Sequence, residues 1–244
     1  MKQNKPIAIV TGGGKGIGAA CCKALADEGF YVGINYRSSK DEAQQVLTDI
    51  GNQGYLLNAD LSELSQVDNM LKKINEELGR VDVLVNNAGA SINNTILSMK
   101  IEEFDSQRSI MRGTWYLVKK MLRHFMIRQG SGRIINISSV TGHIGNPGQI
   151  PYTMEKAAMD TLTKSLAKEM AGRNILINSV VPGYIDTDMT RNLDEKIQDN
   201  ILKNIPLGRM GHPEEVAEVV TFLATRGNYI NASLIHVNGG LYAG

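Results

Sequence analysis

Short apolar runs alternate along the chain with longer segments of helical periodicity, and this alternation limits the possible folds more than any other feature. The runs are rich in β-branched residues: "PIAIVT", "YVGINY", "GYLLNA", "VDVLVNN", "RIINIS", "ILINSVV" and "SLIHV". The helical segments cover 17–29, 40–50, 63–78, 101–128, 153–171 and 213–225. Strands that are apolar throughout are typical of parallel sheets covered by helices on both faces. The sequence therefore predicts an α/β fold with one doubly wound, parallel, seven-stranded sheet.

The length and charge of the chain indicate the class of protein. Its 244 residues suit a single domain over 1–244, since no repeat, linker or low-complexity segment divides it. The formal net charge of +1 gives no reason to expect a nucleic acid or membrane partner. The chain has no apolar targeting segment and no apolar run long enough to span a bilayer, so a cytoplasmic location is expected.

Cysteine and histidine give no sign of a metal site. Cys21 and Cys22 are adjacent and lack the spacing of a metal knuckle or a disulfide framework, so we expect reduced packing residues. The four histidines are scattered without the spacing of metal ligands. No metal is expected.

A glycine-rich turn, "TGGGKGIGAA", follows the first predicted strand and opens the first helix. Gly12, Gly16 and Gly18 lack a Cβ, so the loop can bring its N–H groups against a pyrophosphate at the positive end of the helix. Gly18 would also let the helix pack closely on the strand. An ordinary tight turn has the same composition, but the position in the first β-α-β unit favours a Rossmann-type dinucleotide site.

The second predicted strand ends in "NYRSS", where a domain that prefers NAD usually carries a carboxylate for the adenosine ribose. Arg37 stands there instead. Together with Lys15 in the glycine loop, it could bind a 2′-phosphate through charge-assisted hydrogen bonds. The sequence therefore favours NADP(H), the alternative being that Arg37 is only a solvated loop charge.

Three Tyr-x-x-x-Lys pairs occur in the chain, so the spacing alone does not identify a site: Tyr36/Lys40, Tyr116/Lys120 and Tyr152/Lys156. Only the third pair follows a strand that ends in serines and a glycine-bearing loop. We interpret the first pair as a contact near a cofactor ribose and the second as a helix surface.

The chemistry of the third pair depends on its helix. One helical turn places Lys156 beside Tyr152, where a cation stabilises the phenolate, so that the tyrosine can donate a proton to a developing alkoxide. Ser139, at the end of the preceding strand, could donate a hydrogen bond to the same carbonyl oxygen. The sequence therefore predicts a site for ketone reduction beside a nicotinamide.

These motifs together resemble the short-chain dehydrogenase/reductase family, nearly from end to end. The resemblance rests on "TGGGKGIG", "NNAG" at 86–89, Ser139, Tyr152 to Lys156, "PGYIDTDM" at 182–189 and "HVNGGLY". Within the family the chain is most similar to reductases of β-ketoacyl thioesters. The resemblance implies NADPH-dependent reduction of a β-ketoacyl group on acyl carrier protein or coenzyme A, in fatty-acid, polyketide or polyene synthesis.

The resemblance also implies cofactor contacts and an assembly. The implied cofactor residues are Thr11, Gly12, Lys15, Gly16, Ile17 and Gly18 in the glycine loop, Arg37, Asp60 and Leu61, Asn86, Asn87, Ala88 and Gly89, Tyr152 and Lys156, and Pro182, Gly183, Ile185 and Thr187. A homotetramer, or a tetramer mixed with a related subunit, would form through the helices at 101–128 and 153–171 and through the last strand.

Met111 departs from the family pattern. It stands where relatives carry an asparagine that helps hold a water for returning protons to the tyrosine and lysine. Three readings follow: another proton route with slower turnover, dependence on a partner subunit, or a non-catalytic subunit that only binds NADPH. Glu155, where small residues are common in relatives, points about 100° round the helix from Lys156 and is expected at the surface.

Substrate contacts are predicted from the resemblance too. Residues 184–212 look like a flap over the substrate site, and their apolar members could cover an acyl chain or simply pack a short helix: Ile185, Met189, Leu193, Ile201 and Ile205. Arg128 and Arg173 stand near positions that present positive charge to an acidic carrier protein.

Overall fold

The computed structural model describes residues 5–191 and 194–243, apart from the side chain of Met189. Its strands are β1 (Ile7–Val10), β2 (Tyr31–Tyr36), β3 (Gly54–Asn58), β4 (Val83–Asn86), β5 (Gly132–Ile137), β6 (Ile175–Pro182) and β7 (Leu234–Val237). They form one sheet in the order β3-β2-β1-β4-β5-β6-β7, and every neighbouring pair is parallel. The prediction of one parallel seven-stranded sheet is confirmed.

The helices are α1 (Gly16–Asp27), α2 (Lys40–Asp49), α3 (Leu64–Glu77), α4 (Ile101–Met121), α5 (Ile127–Gln129), α6 (Thr141–Ile144), α7 (Ile150–Glu169), α8 (Asp188–Arg191), α9 (Glu195–Asn204) and α10 (Pro213–Thr225). A π-helical turn, Leu122–Met126, joins α4 to α5. Proline at the first turn starts both α7 and α10, where the missing N–H costs no helical hydrogen bond. Within the described residues, no helix is long and apolar enough to cross a membrane.

Two apolar cores lie on the two faces of the sheet. The first packs α1, α2 and α10 on one face and includes the buried free cysteines Cys21 and Cys22. Burial raises the pKa of the Cys21 thiol to about 12, so it stays protonated and acts as a packing residue. The second core packs α3, α4 and α7 on the other face. The predicted helix layers on both faces are therefore present.

The strand order reverses between β1 and β4, which are neighbours in the sheet although β2 and β3 lie between them in sequence. Crevices in doubly wound sheets open outside the carboxyl ends of the strands at such a reversal. The loops that follow β1 and β4 therefore mark where a ligand site is expected.

Candidate active site

A cavity of about 660 Å³ opens at the carboxyl ends of β1, β4, β5 and β6, within the size range of small-molecule sites. Fourteen of the predicted site residues line it: Gly12, Lys15, Gly16, Ile17, Asn87, Ala88, Gly89, Ser139, Tyr152, Lys156, Pro182, Gly183, Ile185 and Thr187. They come from four separate strand ends and from α7. The fold thus brings the predicted cofactor loop and the predicted catalytic residues to one opening.

The glycine loop is packed too closely for side chains. A Cβ on Gly18 would lie 2.2 Å from the carbonyl oxygen of Gly12, and Gly12 and Gly16 have positive φ angles of 62° and 50°. Gly12 and Gly16 line the cavity at the start of α1, so no side chain separates their backbone from it. A backbone cradle at a helix N-terminus fits the pyrophosphate of a dinucleotide.

Two polar side chains hold this loop against the loop after β4. Asn87 Nδ2 donates to the carbonyl oxygens of Thr11 at 3.0 Å and Gly12 at 3.1 Å. Thr11 Oγ1 accepts hydrogen bonds from the N–H groups of Asn87 and Ala88. Thr11 is buried, so its hydroxyl fixes the shape of the cavity wall rather than lining the cavity.

Asn86 also lies away from the opening. Its side chain is buried in the sheet and donates to Asn136 Oδ1 at 2.8 Å, and Asn136 in turn donates to Thr163 Oγ1 at 2.7 Å. The hydroxyl group of Thr163 is in turn hydrogen-bonded to that of Ser179 on β6, at 2.8 Å. The expected ribose contact is therefore replaced by a buried polar ladder that ties β4, β5, β6 and α7 together.

The predicted adenine end of the site, at Arg37, Asp60 and Leu61, lies beyond the lining of the cavity, whereas Lys15 belongs to that lining. Leu61 is buried and Asp60 accepts hydrogen bonds from Ser62, both directly after β3. Arg37 is exposed at the end of β2, with its guanidinium 3.9 Å from the Asp60 carboxylate. Lys15 bonds to Glu42 at 2.6 Å, and this partner raises the pKa of the Lys15 ammonium. Two cations thus flank the adenine side, each beside a carboxylate.

Ser139 is held at the end of β5. Its hydroxyl oxygen accepts hydrogen bonds from the Thr141 hydroxyl at 3.0 Å and from the Thr141 N–H at 3.2 Å. Both donors come from the first residue of α6, so the serine hydroxyl proton is free to point toward the cavity. This arrangement suits donation to a substrate oxygen.

Lys156 is buried, which requires a partner for its ammonium. Nζ donates to the carbonyl oxygen of Ile137 at 2.8 Å and lies 5.5 Å from the centre of the Tyr152 ring. The one-turn spacing on α7 thus places the ammonium beside the tyrosine, and both residues line the cavity with Ser139. The arrangement can deliver one proton to an oxygen bound between serine and tyrosine.

The expectation of a surface position for Glu155 is wrong. Its side chain is half-buried, because α4 packs on that side of α7 and Gln107 Nε2 donates to Glu155 Oε2 at 2.7 Å. Gln107 is itself buried and also donates to the carbonyl oxygen of Ala90. Sequence reasoning missed Gln107, although its place one turn before Met111 puts both on one face of α4.

The rival tyrosine-lysine pairs lie away from the cavity. The Tyr116 hydroxyl donates to Asp68, which also binds Lys120 at 3.1 Å, so this pair joins α3 and α4 on the outer surface as expected. Tyr36 is buried in the first core, so its interpretation as a ribose contact is wrong. Its ring is apolar packing for β2.

A buried polar cluster next to the catalytic residues was also missed. Asp160, one turn after Lys156, accepts hydrogen bonds from Ser138 at 2.9 Å and pairs with His143 at 2.9 Å. Ser138 Oγ contacts the Lys156 carbonyl as well, so the cluster fixes the end of β5 on α7. The spacing of Lys156 and Asp160 on one helical face was the signal in the sequence.

The flap contains two short helices, α8 and α9. Ile201 and Ile205 are buried in the protein, which favours packing over acyl-chain cover, whereas Ile185 lines the cavity. Leu193 and the side chain of Met189 lie outside the described residues. Arg128 and Arg173 are exposed before β5 and β6, so within one chain they lie at the sheet edge opposite the cavity.

Comparison with known proteins identifies the family. Residues 12–242 match the family model described as enoyl-(acyl carrier protein) reductase. This match covers most of the chain and agrees with the parallel sheet, the glycine loop and the Ser139, Tyr152 and Lys156 set. The chain belongs to the short-chain dehydrogenase/reductase family.

Curated relatives are similar over their full length. A 3-oxoacyl-[acyl-carrier-protein] reductase FabG of Staphylococcus epidermidis is 41% identical over 96% of this chain and 98% of its own. A Staphylococcus aureus protein of the same name is 41% identical over 99% of this chain and 100% of its own. The Haemophilus influenzae protein of that name is 41% identical over 97% and 98%. Similarity therefore extends through both the cofactor half and the flap.

Proposed function

We propose that this chain uses NADPH to reduce the keto group of a 3-oxoacyl thioester, carried by acyl carrier protein, to the hydroxyl group. The observation that carries the proposal is the convergence of Ser139, Tyr152 and Lys156 on the cavity bounded by the glycine loop. The names of the full-length relatives support the 3-oxoacyl thioester as substrate. A cytoplasmic location is part of this proposal.

The residues of the chain divide the work of one reduction. NADPH, when bound, supplies the hydride. Ser139 and Tyr152 donate hydrogen bonds to the carbonyl oxygen and so stabilise the negative charge that develops on it. Tyr152 then gives up its proton to this oxygen, and the ammonium of Lys156 stabilises the phenolate. Backbone N–H groups of the glycine loop and of residues 88–89 would hold the cofactor.

Met111 is the residue that suggested the alternative of a non-catalytic subunit. Relatives matched over nearly their whole length carry the names of reductases, so the comparisons do not support it. Met111 lies on α4 beside Glu155, which supplies a polar group at the same place. Loss of the asparagine therefore does not leave the site apolar.

The test is oxidation of NADPH by the purified chain with acetoacetyl-carrier protein, acetoacetyl-coenzyme A and, because of the family description, crotonyl-carrier protein. Tyr152→Phe should abolish turnover and keep NADPH binding, measured by fluorescence. Tyr116→Phe is the matched control, because it removes the same hydroxyl from the Tyr-x-x-x-Lys pair on the outer surface. Equal turnover in wild type and Tyr152→Phe would refute the assignment, and turnover of the crotonyl thioester alone would make the chain an enoyl reductase.

NADP(H) is the proposed cofactor because of the charges at the adenine end. Arg37 is exposed and free to turn toward a phosphate, and its only charged partner within the described residues is Asp60 at 3.9 Å. Lys15 lies in the cavity lining and Arg37 at the next strand end, so a 2′-phosphate between them would meet two cations. NADH has no 2′-phosphate, so it leaves this position between the two cations without an anion.

A homotetramer is proposed for the assembly. Large apolar side chains are exposed on the two long helices, with Trp115 at 49% on α4 and Met154 at 54% on α7. Two copies that pack these helices together would bury them. Light scattering after size exclusion should give four times the chain mass of 26.7 kDa, and a monomer would refute this part of the proposal.

A further inference from the structure

A second, much smaller cavity lies directly behind the catalytic pair. Its volume is about 10 Å³, which is at the lower limit for holding one water. Its lining includes Met111 and Met159 on the apolar side and Tyr152, Glu155 and Lys156 on the polar side. Ala88, Gly89, Tyr152 and Lys156 line both this cavity and the large one, so they form the wall between the two.

The carboxyl group of Glu155 has one oxygen bonded and one unbonded. Oε2 accepts from Gln107, whereas Oε1 is buried without a hydrogen-bond partner among the described residues. A buried carboxyl oxygen without a partner is costly, unless the group is protonated or contacts a water. Burial raises the pKa of Glu155 to about 7, although Gln107, Lys156 and Arg108 each act to lower it. The group can therefore be protonated at neutral pH.

We propose that Glu155 returns protons to the catalytic pair through a water in this small cavity, an inference that rests on the proposed reductase function. The proposal stands on geometry: an ionisable side chain with an unbonded oxygen lines the same one-water cavity as Tyr152 and Lys156. Met111 lines that cavity too, and its thioether is only a weak hydrogen-bond acceptor. Glu155 is thus the only carboxyl group among the lining residues.

The proton balance of this step is simple. Tyr152 loses its phenolic proton to the substrate oxygen and is left as phenolate. The Glu155 carboxyl then gives one proton to the water, and the water gives one to the pair of Lys156 and Tyr152, which restores the phenol. Glu155 is left as carboxylate. It takes its next proton from solvent, because its side chain is only partly buried.

The groups that face Glu155 set the direction of its pH dependence. Lys156 and Tyr152 face it from α7, and Arg108 acts on it from α4, while the cavity residues 88–90 carry no charge. The charged neighbours are cationic and favour the carboxylate, but desolvation outweighs them. Proton supply should therefore be full below about pH 7 and decline above it.

The role proposed for Glu155 is to supply a proton, so the variants must separate that role from packing. Glu155→Gln keeps the shape and can still accept from Gln107, but it cannot ionise. Glu155→Asp keeps an ionisable carboxyl group that is one methylene shorter. Glu169→Gln is the matched control, because it makes the same change of charge on an exposed position of α7. Melting temperature and NADPH fluorescence report folding and cofactor binding for each variant.

The kinetic measurement is kcat and KM for acetoacetyl-carrier protein from pH 6 to 9. Wild type and Glu169→Gln should lose kcat as the pH rises through about 7. Glu155→Gln should lower kcat about tenfold or more at pH 6.5, leave KM and NADPH binding unchanged, and lack that decline. Glu155→Asp should retain a decline, shifted in pH, because it still carries a proton.

The outcomes separate the two proposals. No turnover by wild type with any thioester overturns the proposed function and this inference with it. If wild type turns over the substrate, two results for Glu155→Gln overturn the inference alone. One is a kcat equal to that of wild type, and the other is a decline near pH 7 that remains intact. Should Glu155→Gln fail to fold or to bind NADPH, Glu155→Asp decides: a pH profile identical to that of wild type overturns the inference, and a shifted one supports it.

Discussion

Gly113, in the middle of α4, provides a sharp test of how this helix is placed. A Cβ at this position would lie 1.7 Å from the carbonyl oxygen of Leu61 and 2.6 Å from its carbonyl carbon. Both atoms belong to the backbone just after β3, so no side chain can rotate away. Because real Cβ atoms keep at least 3.0 Å from such neighbours, Gly113→Ala requires a displacement of about 1.3 Å.

Two effects of Gly113→Ala oppose each other. Alanine in a helix interior is favoured over glycine by about 1 kcal/mol. Overpacking typically costs 1–3 kcal/mol, and the upper end applies here because the contact is with backbone. The net loss of unfolding free energy is therefore about 2 kcal/mol, which lowers Tm by roughly 4–8 °C in a protein of this size.

Thermal and urea unfolding of Gly113→Ala measure this loss, at one protein concentration so that assembly does not alter the comparison. Ser106→Ala is the control, since Ser106 is exposed on the same helix and the change offers helix propensity without a close contact. Gly113→Ala as stable as wild type or more so would show that α4 does not press on Leu61 as described.

Three further changes test the cofactor end, the sheet and the small cavity. Arg37→Ala should weaken NADPH binding about 10- to 100-fold and leave NADH binding nearly unchanged, as fluorescence titration with both cofactors would show; equal losses would refute a phosphate contact. Asn136→Ala leaves Asn86 Nδ2 without its acceptor in the buried ladder and should cost about 2 kcal/mol or more by calorimetry, whereas an unchanged Tm would contradict the ladder's role. Burial raises the folded-state pKa of Glu155 from 4.5 to about 7, so wild type loses stability as the pH rises across this window. Relative to wild type, Glu155→Gln should gain on the order of 1 kcal/mol of unfolding free energy as the pH rises from about 5 to about 8, after allowance for solvent screening. A stability difference between the two proteins that does not change with pH would contradict the raised pKa.

The sheet could be predicted because its signals are local. Each strand is a short apolar run, each long helix has its own period, and the glycine turn sits where one changes to the other. The catalytic pair could be chosen among three equal spacings because Ser139 and a glycine loop precede Tyr152 alone. Such signals need only the order of the chain.

The errors concern distances between elements that are far apart in sequence. Helical geometry correctly places Glu155 about 100° from Lys156, but it does not show that α4 covers that side. Asn86 stands in a cofactor motif, yet its register opposite Asn136 on β5 turns its amide into the ladder. Tyr36 ends β2 near the expected ribose, but its ring packs inward. Pairing register and helix packing decide each case.

Helix α4 joins the stability of the fold to the small cavity, since Gly113 sets its depth against Leu61 while Gln107 and Met111 face α7. A shift of about 1.3 Å is enough to break the 2.7 Å bond between Gln107 and Glu155. Once this bond is lost, the carboxyl group of Glu155 is no longer held at the small cavity, so removing its proton by Glu155→Gln has a smaller effect on kcat. The effects of Gly113→Ala and Glu155→Gln on kcat at pH 6.5 should therefore not be additive.

A double-mutant cycle measures this coupling. Distant independent sites add within about 0.3–0.5 kcal/mol, whereas sites that share a packing shift couple by about 0.5–3 kcal/mol. The double variant Gly113→Ala/Glu155→Gln should lose less activity than the two single losses multiplied together. The losses of kcat caused by Ser106→Ala and by Glu155→Gln should simply multiply in the double variant, because Ser106→Ala does not change the depth of α4. Simple multiplication in both cycles would mean that Glu155 keeps its position without α4, and the account of how this helix buries it would have to be abandoned.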